Sequence, residues 1–242
     1  MSNVKTFFAG ATSMAAALTA MFVLTGVKPT ANHAQFDEIT VGRINIIEPD
    51  GTKRMIISNK AQFPGSFHLG KEKSRPDRNS FAGMLFVNEE GTESGGFIQK
   101  GSIGVNGKID SGLSLTFDRF RQDQALQLIN TDSEHHQLTG VRINDVPYYK
   151  VTSMDDITTF NETAQKLPKA EQQAYWNKLN EENRLSKNRI YLGTTGSKGS
   201  ALQLKDAKGK VRMMLLVSAE GKAEIQMLDE NGNVKKTIAA TE

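Results

Sequence analysis

The chain contains no cysteine. Disulfides, thiolate metal sites, cysteine nucleophiles and lipoprotein-type acylation are all excluded, so stability must come from a core or from assembly. Histidine is nearly as scarce: His33, His68, His135 and His136 are the full set, and no two have the i, i+4 spacing of a helical zinc site. His135 and His136 lie in TDSEHHQLTG, which reads as a solvated turn, since neighbouring side chains on a strand point to opposite faces. Blocks of one charge are missing too. The 30 Lys and Arg are interspersed with 27 Asp and Glu, for a net +3. A pI near 9.0 suits nucleic acid when basic residues gather on one face with aromatics among them; no such run occurs, and no nucleic-acid partner is expected.

Catalytic signatures are absent from the sequence as well. There is no G-x-S-x-G elbow, no G-x-x-x-x-G-K-[ST] loop, no dinucleotide fingerprint after a strand and no H-E-x-x-H. The carboxylate pairs Glu89/Glu90, Asp155/Asp156 and Glu181/Glu182 fall in a turn, a helix start and an exposed helix face, where acidic residues need no catalytic explanation. A glycosidase-like pair is spatial rather than sequential, so it would leave no trace here. No catalytic residue, cofactor or metal ligand is expected, and the chain reads as a non-enzyme.

What the sequence does have is one long uncharged run, Thr6 to Val27 between Lys5 and Lys28. As a helix it would reach roughly 33 Å, enough to cross a hydrocarbon core. A signal peptide is the rival reading. Cleavage after Ala31 or Ala34 would leave Pro29 or Asn32 at the minus-three position, where a small residue is wanted. The expectation is an uncleaved anchor with its linker over residues 1–35, in a bacterial inner membrane, with the bulk of the chain in the periplasm. Ala9, Ser13 and Ala17 recur every four residues and offer a helix-packing face.

Beyond Phe36 the period changes to two. FDEITVGRINIIEPDGTKRMIIS alternates apolar and polar residues on either side of PDG, the mark of a hairpin. The frame returns around Gly91, Gly209 and Gly232, each with an acidic or amide residue three positions earlier (Asn88, Asp206, Asp229, and Glu48 before Gly51), while Gly221 supplies another turn. Glycine tolerates positive φ at least cost, and Asp or Asn at that offset can accept the turn amides. The rival for DENGN at Asp229 to Asn233 is calcium. An EF-hand needs Gly sixth and Glu twelfth, whereas here Gly232 is fourth and Ala240 twelfth. Gly51, Gly91, Gly209, Gly221 and Gly232 are therefore read as turn glycines.

Further short strands are expected at Ile103–Val105, Leu113–Phe117, Ala125–Ile129 and Gly140–Val146. One segment breaks the pattern. Ser153 and Asp156 have capping-box spacing, and Ile157, Phe160, Ala164 and Leu167 follow at helical steps; Pro168 then opens a second helix carrying Tyr175, Trp176 and Leu179. The organisation expected is a β-rich region over 36–150, a helical insertion over 151–187 and a meander over 188–242. The fold class is mainly β, built of antiparallel hairpins or a meander, sandwich- or prism-like. The stretch from Asn59 to Asn79, with Lys71, Lys73, Arg75 and Arg78, reads as a long solvated loop.

VGRINIIEPDGTKRMIISN, FVNEEGTESGG, RIYLG, KDAKGKVRMML and LDENGNV together resemble a group of uncharacterised bacterial proteins with an amino-terminal membrane segment. The resemblance covers most of residues 36–238 and implies architecture and bacterial origin; it carries no active-site residue. The function expected is that of a structural or interaction protein: an accessory or scaffold subunit of an envelope complex, or a homo-oligomer such as a trimer. The alternative is a periplasmic glycan- or peptide-binding module or hydrolase, with its site in the loops Asn59–Asn79 and Thr131–Leu138 and a perturbed carboxylate or His68 in a pocket. A third possibility is a secreted domain released by signal cleavage.

Overall fold

The computed structural model describes residues 33–134 and 136–239. The expected anchor, with Ala9, Ser13 and Ala17, lies outside the described residues, as do His135 and Ala240. Among the described residues no helix is long and apolar enough to cross a membrane. The chain divides between Thr40 and Val41. Residues 33–40 are exposed and form no regular element, and the second unit holds all the described strands and helices.

That unit is a mainly β antiparallel meander. Twelve strands form one sheet: β1 (Arg43–Ile47), β2 (Lys53–Ser58), β5 (Ala82–Val87), β6 (Glu93–Ile103), β7 (Ile109–Asp118), β8 (Gln124–Ser133), β9 (His136–Asp145), β10 (Lys187–Thr194), β11 (Ser200–Lys205), β12 (Val211–Val217), β13 (Ala223–Leu228) and β14 (Val234–Ala239). They stand side by side in sequence order. The sheet runs unbroken through the pairing of β9 with β10, so the β-rich stretches before and after the helices are one sheet.

A single turn chemistry explains most of this order. In eight of the eleven connections the first turn residue donates its N–H to the carbonyl four positions on, and its own carbonyl accepts the N–H three positions on, as in Asp206 N to Lys210 O (2.9 Å) and Gly209 N to Asp206 O (2.9 Å). In seven of these turns the residue at that third position has a left-handed backbone, the β7–β8 turn placing it at Arg121 instead, and Gly51, Gly91, Gly209, Gly221 and Gly232 meet the need with φ between 76° and 90°. The offset side chains act as expected: Asp229 Oδ1 accepts from the N–H groups of Asn231 and Asn233, each at 2.9 Å, and Asn88 and Asp206 do the same in their own turns. Glu48 is too long for the role. Asp50 accepts from Thr52 N instead (2.8 Å), and the Glu48 carboxylate reaches Arg54.

Two longer connections depart from the motif. Between β2 and β5 the chain forms a small hairpin, β3 (Ser66–His68) with β4 (Lys71–Lys73), in place of the expected solvated loop. The reason is apolar: Phe67, only 5 % exposed, closes over Ile56, Leu85 and Val87, with Phe63 and Ile98 beside it, and together they make the main core. Between β9 and β10 lie α1 (Met154–Lys166) and α2 (Lys169–Glu181), the two helices that were expected. Ser153 and Asp156 form the capping box, Ala164 and Leu179 are buried, and Trp176 stacks edge-on with Tyr175. Gln122, at the β7–β8 turn, donates to Thr152 O and anchors the start of this excursion.

Candidate functional site

Register decides what the sheet presents. Residues directly opposite across paired strands share a face, as do residues two apart along a strand. Starting from β1, the partners Ile44, Ile57, Met84, Phe97, Leu115 and Leu128 stand in one row. The row continues through Val141, Leu192, Leu202, Leu215, Ile225 and Ile238 to the last strand. All twelve strands contribute an apolar residue. A second row on the same face starts with Ile46, Met55, Phe86, Gly95, Phe117 and Leu126. It proceeds through Ile143, Ile190, Leu204, Met213, Met227 and Lys236, so only Gly95 and Lys236 interrupt it.

None of the apolar residues in these two rows is buried, and Leu192, Phe117 and Ile46 are 52 %, 50 % and 48 % exposed. Among the described residues the longest apolar surface is therefore uncovered. At about 4.8 Å per strand the band is roughly 50 Å long, and two rows of side chains make it about 14 Å wide, a footprint of roughly 700 Å². Contiguous apolar patches of that size mark interaction surfaces. Over the carboxy-terminal strands the band lines an open groove of about 610 Å³ around Leu192, Leu202, Leu215, Ile225 and Ile238.

The opposite face has a different chemistry. Ile56 and Leu85 are buried there under β3, and from β6 onward the equivalent row reads Gly96, Thr116, Gln127, Arg142, Tyr191, Gln203, Met214, Gln226 and Thr237. The first face is apolar and uncovered, whereas this one carries the main core and is mostly polar from β6 onward, with Thr116 and Tyr191 buried.

A separate polar cleft of about 770 Å³ lies where the β3–β4 hairpin, the β7–β8 turn and α1 converge. Its walls are pinned by ion pairs. Arg78 grips Glu93 with two bonds of 2.8 and 3.0 Å and donates a third to Gly65 O at 2.9 Å. Lys73 reaches Asp155 at 2.6 Å, tying the hairpin to α1, and Arg121 holds Glu90 through bonds of 2.8 and 2.5 Å. The Arg121 guanidinium draws the Glu90 carboxyl down to about 2. Gly70 N donates to Gly91 O (3.0 Å), and a Cβ on Gly91 would stand 2.5 Å from Gly70 N, so this turn glycine also seats the hairpin.

Asp118 is the exception among these carboxylates. Burial, reinforced by the charges of Glu93 and Asp123 and only partly offset by Arg78, pushes it up to about 7. Its Oδ1 and the Nδ1 of His68, which also lines the cleft, are buried without a hydrogen-bond partner. Among the described residues no group of three or more acidic or histidine side chains could hold a metal.

No protein-family model matches the chain, and no curated protein matches it. The five turn glycines expected from the sequence all occupy hairpin turns, and apart from Gly91 beneath the β3–β4 hairpin they position strands rather than line a site. Asp118 carries no sequence signal, because its neighbours Glu93 and Arg78 come from distant strands and loops. The two rows were half visible: alternation showed each strand's apolar positions, and the missing knowledge was which strand stands beside which.

Proposed function

We propose that this chain is a structural or interaction protein, non-enzymatic and membrane-anchored, that works by burying the apolar band of its sheet against protein. The carrying observation is the unbroken first row, twelve apolar residues from Ile44 to Ile238 with none buried. The uncharged run Thr6–Val27 supports the anchor and an extracytoplasmic place for the sheet, as a scaffold or accessory subunit of a bacterial envelope complex or a self-assembling oligomer. Native mass spectrometry of the full-length chain extracted in mild detergent tests this. A defined assembly that falls apart on Leu192→Glu is expected; a lone wild-type monomer removes the proposal.

A second reading, a periplasmic glycan- or peptide-binding module or hydrolase, is favoured by the cleft. It is lined by His68 and by a carboxyl, Asp118, able to exchange a proton near neutrality, either of which favours such a site. Incubation with chitooligosaccharides and with short peptides, followed by nuclear magnetic resonance, is the direct check. Shifts centred on the cleft and lost in Asp118→Asn support it, and unchanged spectra with both probes dispose of it.

A further inference from the structure

Resting on the assembly reading above, we infer that the partner of the apolar band is two further copies of this chain, the three bands facing a common threefold axis that runs along the rows. Four observations carry this. The first is length. The band spans every strand of the sheet, so a partner that covers it must offer an apolar strip about 50 Å long, and a second copy offers one of equal length and composition.

The second is twist. Adjacent strands rotate by about 20–25°, which over a sheet of this width adds to more than half a turn. Two such sheets crossed face to face touch at their centres and diverge at their ends. Copies that wind around an axis parallel to the rows keep every strand in contact, with each residue level with the same residue of its neighbours.

The third is strand length, which selects the number of copies. β1, β2, β5 and β10 to β14 are five to eight residues long, about 17–26 Å. Three sides of that length closed into a triangle place each sheet about 5–7 Å from the axis. Half of the usual separation between packed sheets is about 5 Å, so the two rows from each copy fill the interior. Four sides would leave a hollow, and two would leave both long margins of the band open to water.

The fourth observation is where the band stops. β6 to β9 are ten or eleven residues long, yet the next row on this face reads Gln99, Leu113, Asn130 and Thr139, and the one after it Gly101, Ser111, Asp132 and Gln137. Leu113 alone is apolar in those two outer rows, and Ile103 and Ile109 stand beyond them at the tip, so the continuous apolar width is two rows where the backbone would allow four. The longer strands thus run past the corners into solvent and do not widen the interior.

Because the chain has no cysteine, introduced thiols report contacts without background. In the full-length protein, Ile57→Cys near one end of the band and Ile225→Cys near the other are each treated with a short bismaleimide, and Gln203→Cys on the opposite face serves as control. The expected result is a mass of three copies, with each band thiol linking to its own counterpart in most of the chains and the control at background. A mass of two copies, or Ile57→Cys linking to Ile225→Cys in a mixture but not to itself, overturns the threefold arrangement and leaves the assembly reading intact. An assembly made with other chains overturns self-partnering alone. A wild-type monomer overturns both. Should either Cys variant misfold, judged by circular dichroism, the mass of the wild-type protein still decides the copy number.

Discussion

Asp118 couples the fold to pH in the direction opposite to Glu90 and Asp155, whose cationic partners lower them. Its carboxyl titrates near 7 in the folded protein and near 4 in the unfolded chain, so between those values the folded state holds a proton that the unfolded state has lost. This contribution to stability is present at low pH and is lost as pH rises through about 7. Asp118→Asn removes the dependence. The variant is expected to gain about 1–2 kcal/mol over wild type at pH 8, allowing for partial solvent screening, with the gain fading towards pH 5. Urea melts at the two pH values check it, and an equal effect at both would show that the burial does not act. Gly95 has a steric role of its own. At φ 139° its missing Cβ would lie 2.3 Å from Thr116 O on β7, which accounts for the one gap in the interior of the second row. Gly95→Ala is expected to cost about 1–3 kcal/mol by urea denaturation, because the backbone, not a flexible side chain, is what would have to move. No loss would mean that β6 and β7 are further apart than the geometry requires.

Among the elements, the hairpins were legible and their surroundings were not. PDG, DAKG, SAEG and DENG each placed a turn, because positive φ and an amide-accepting side chain are local demands met by local residues. The helices were legible for the same reason. Ser153 Oγ accepts from Asp156 N at 3.1 Å and the Asp156 carboxylate returns to Ser153 N at 2.7 Å, both within four residues of sequence. Ser153→Ala should therefore cost about 1 kcal/mol and loosen the first turn of α1, seen as faster amide exchange there with the sheet unaffected. The β3–β4 hairpin was hidden because its reason to exist is distant. FPGSFHLG reads as a polar loop until Phe67 is placed over Ile56 and Leu85, and no periodicity in so short a stretch reveals that. The polar cleft was hidden likewise, since its walls are joined by Arg78 with Glu93, Arg121 with Glu90, and Lys73 with Asp155, pairs separated by 15, 31 and 82 positions.

At the scale of the whole molecule, the proposed assembly would make stability a property of concentration. If folding is completed by three copies meeting, the melting temperature should rise by about 2–3 °C for each tenfold increase in protein, and Leu215→Glu should abolish that dependence. A melting point independent of concentration would mean that the sheet stands alone with its apolar face wet. The order of the strands has another consequence. In the twelve-stranded sheet every strand after the first but β5 and β10 follows its predecessor through a short connection, and no strand is inserted between earlier ones. Such a sheet can be lengthened or shortened without rethreading. A whole hairpin added or removed keeps both faces in phase and changes the span by about 10 Å, whereas a single strand would reverse the direction of everything after it. The sheet is in that sense a ruler with a two-strand division, its span set by how many hairpins are written into the chain.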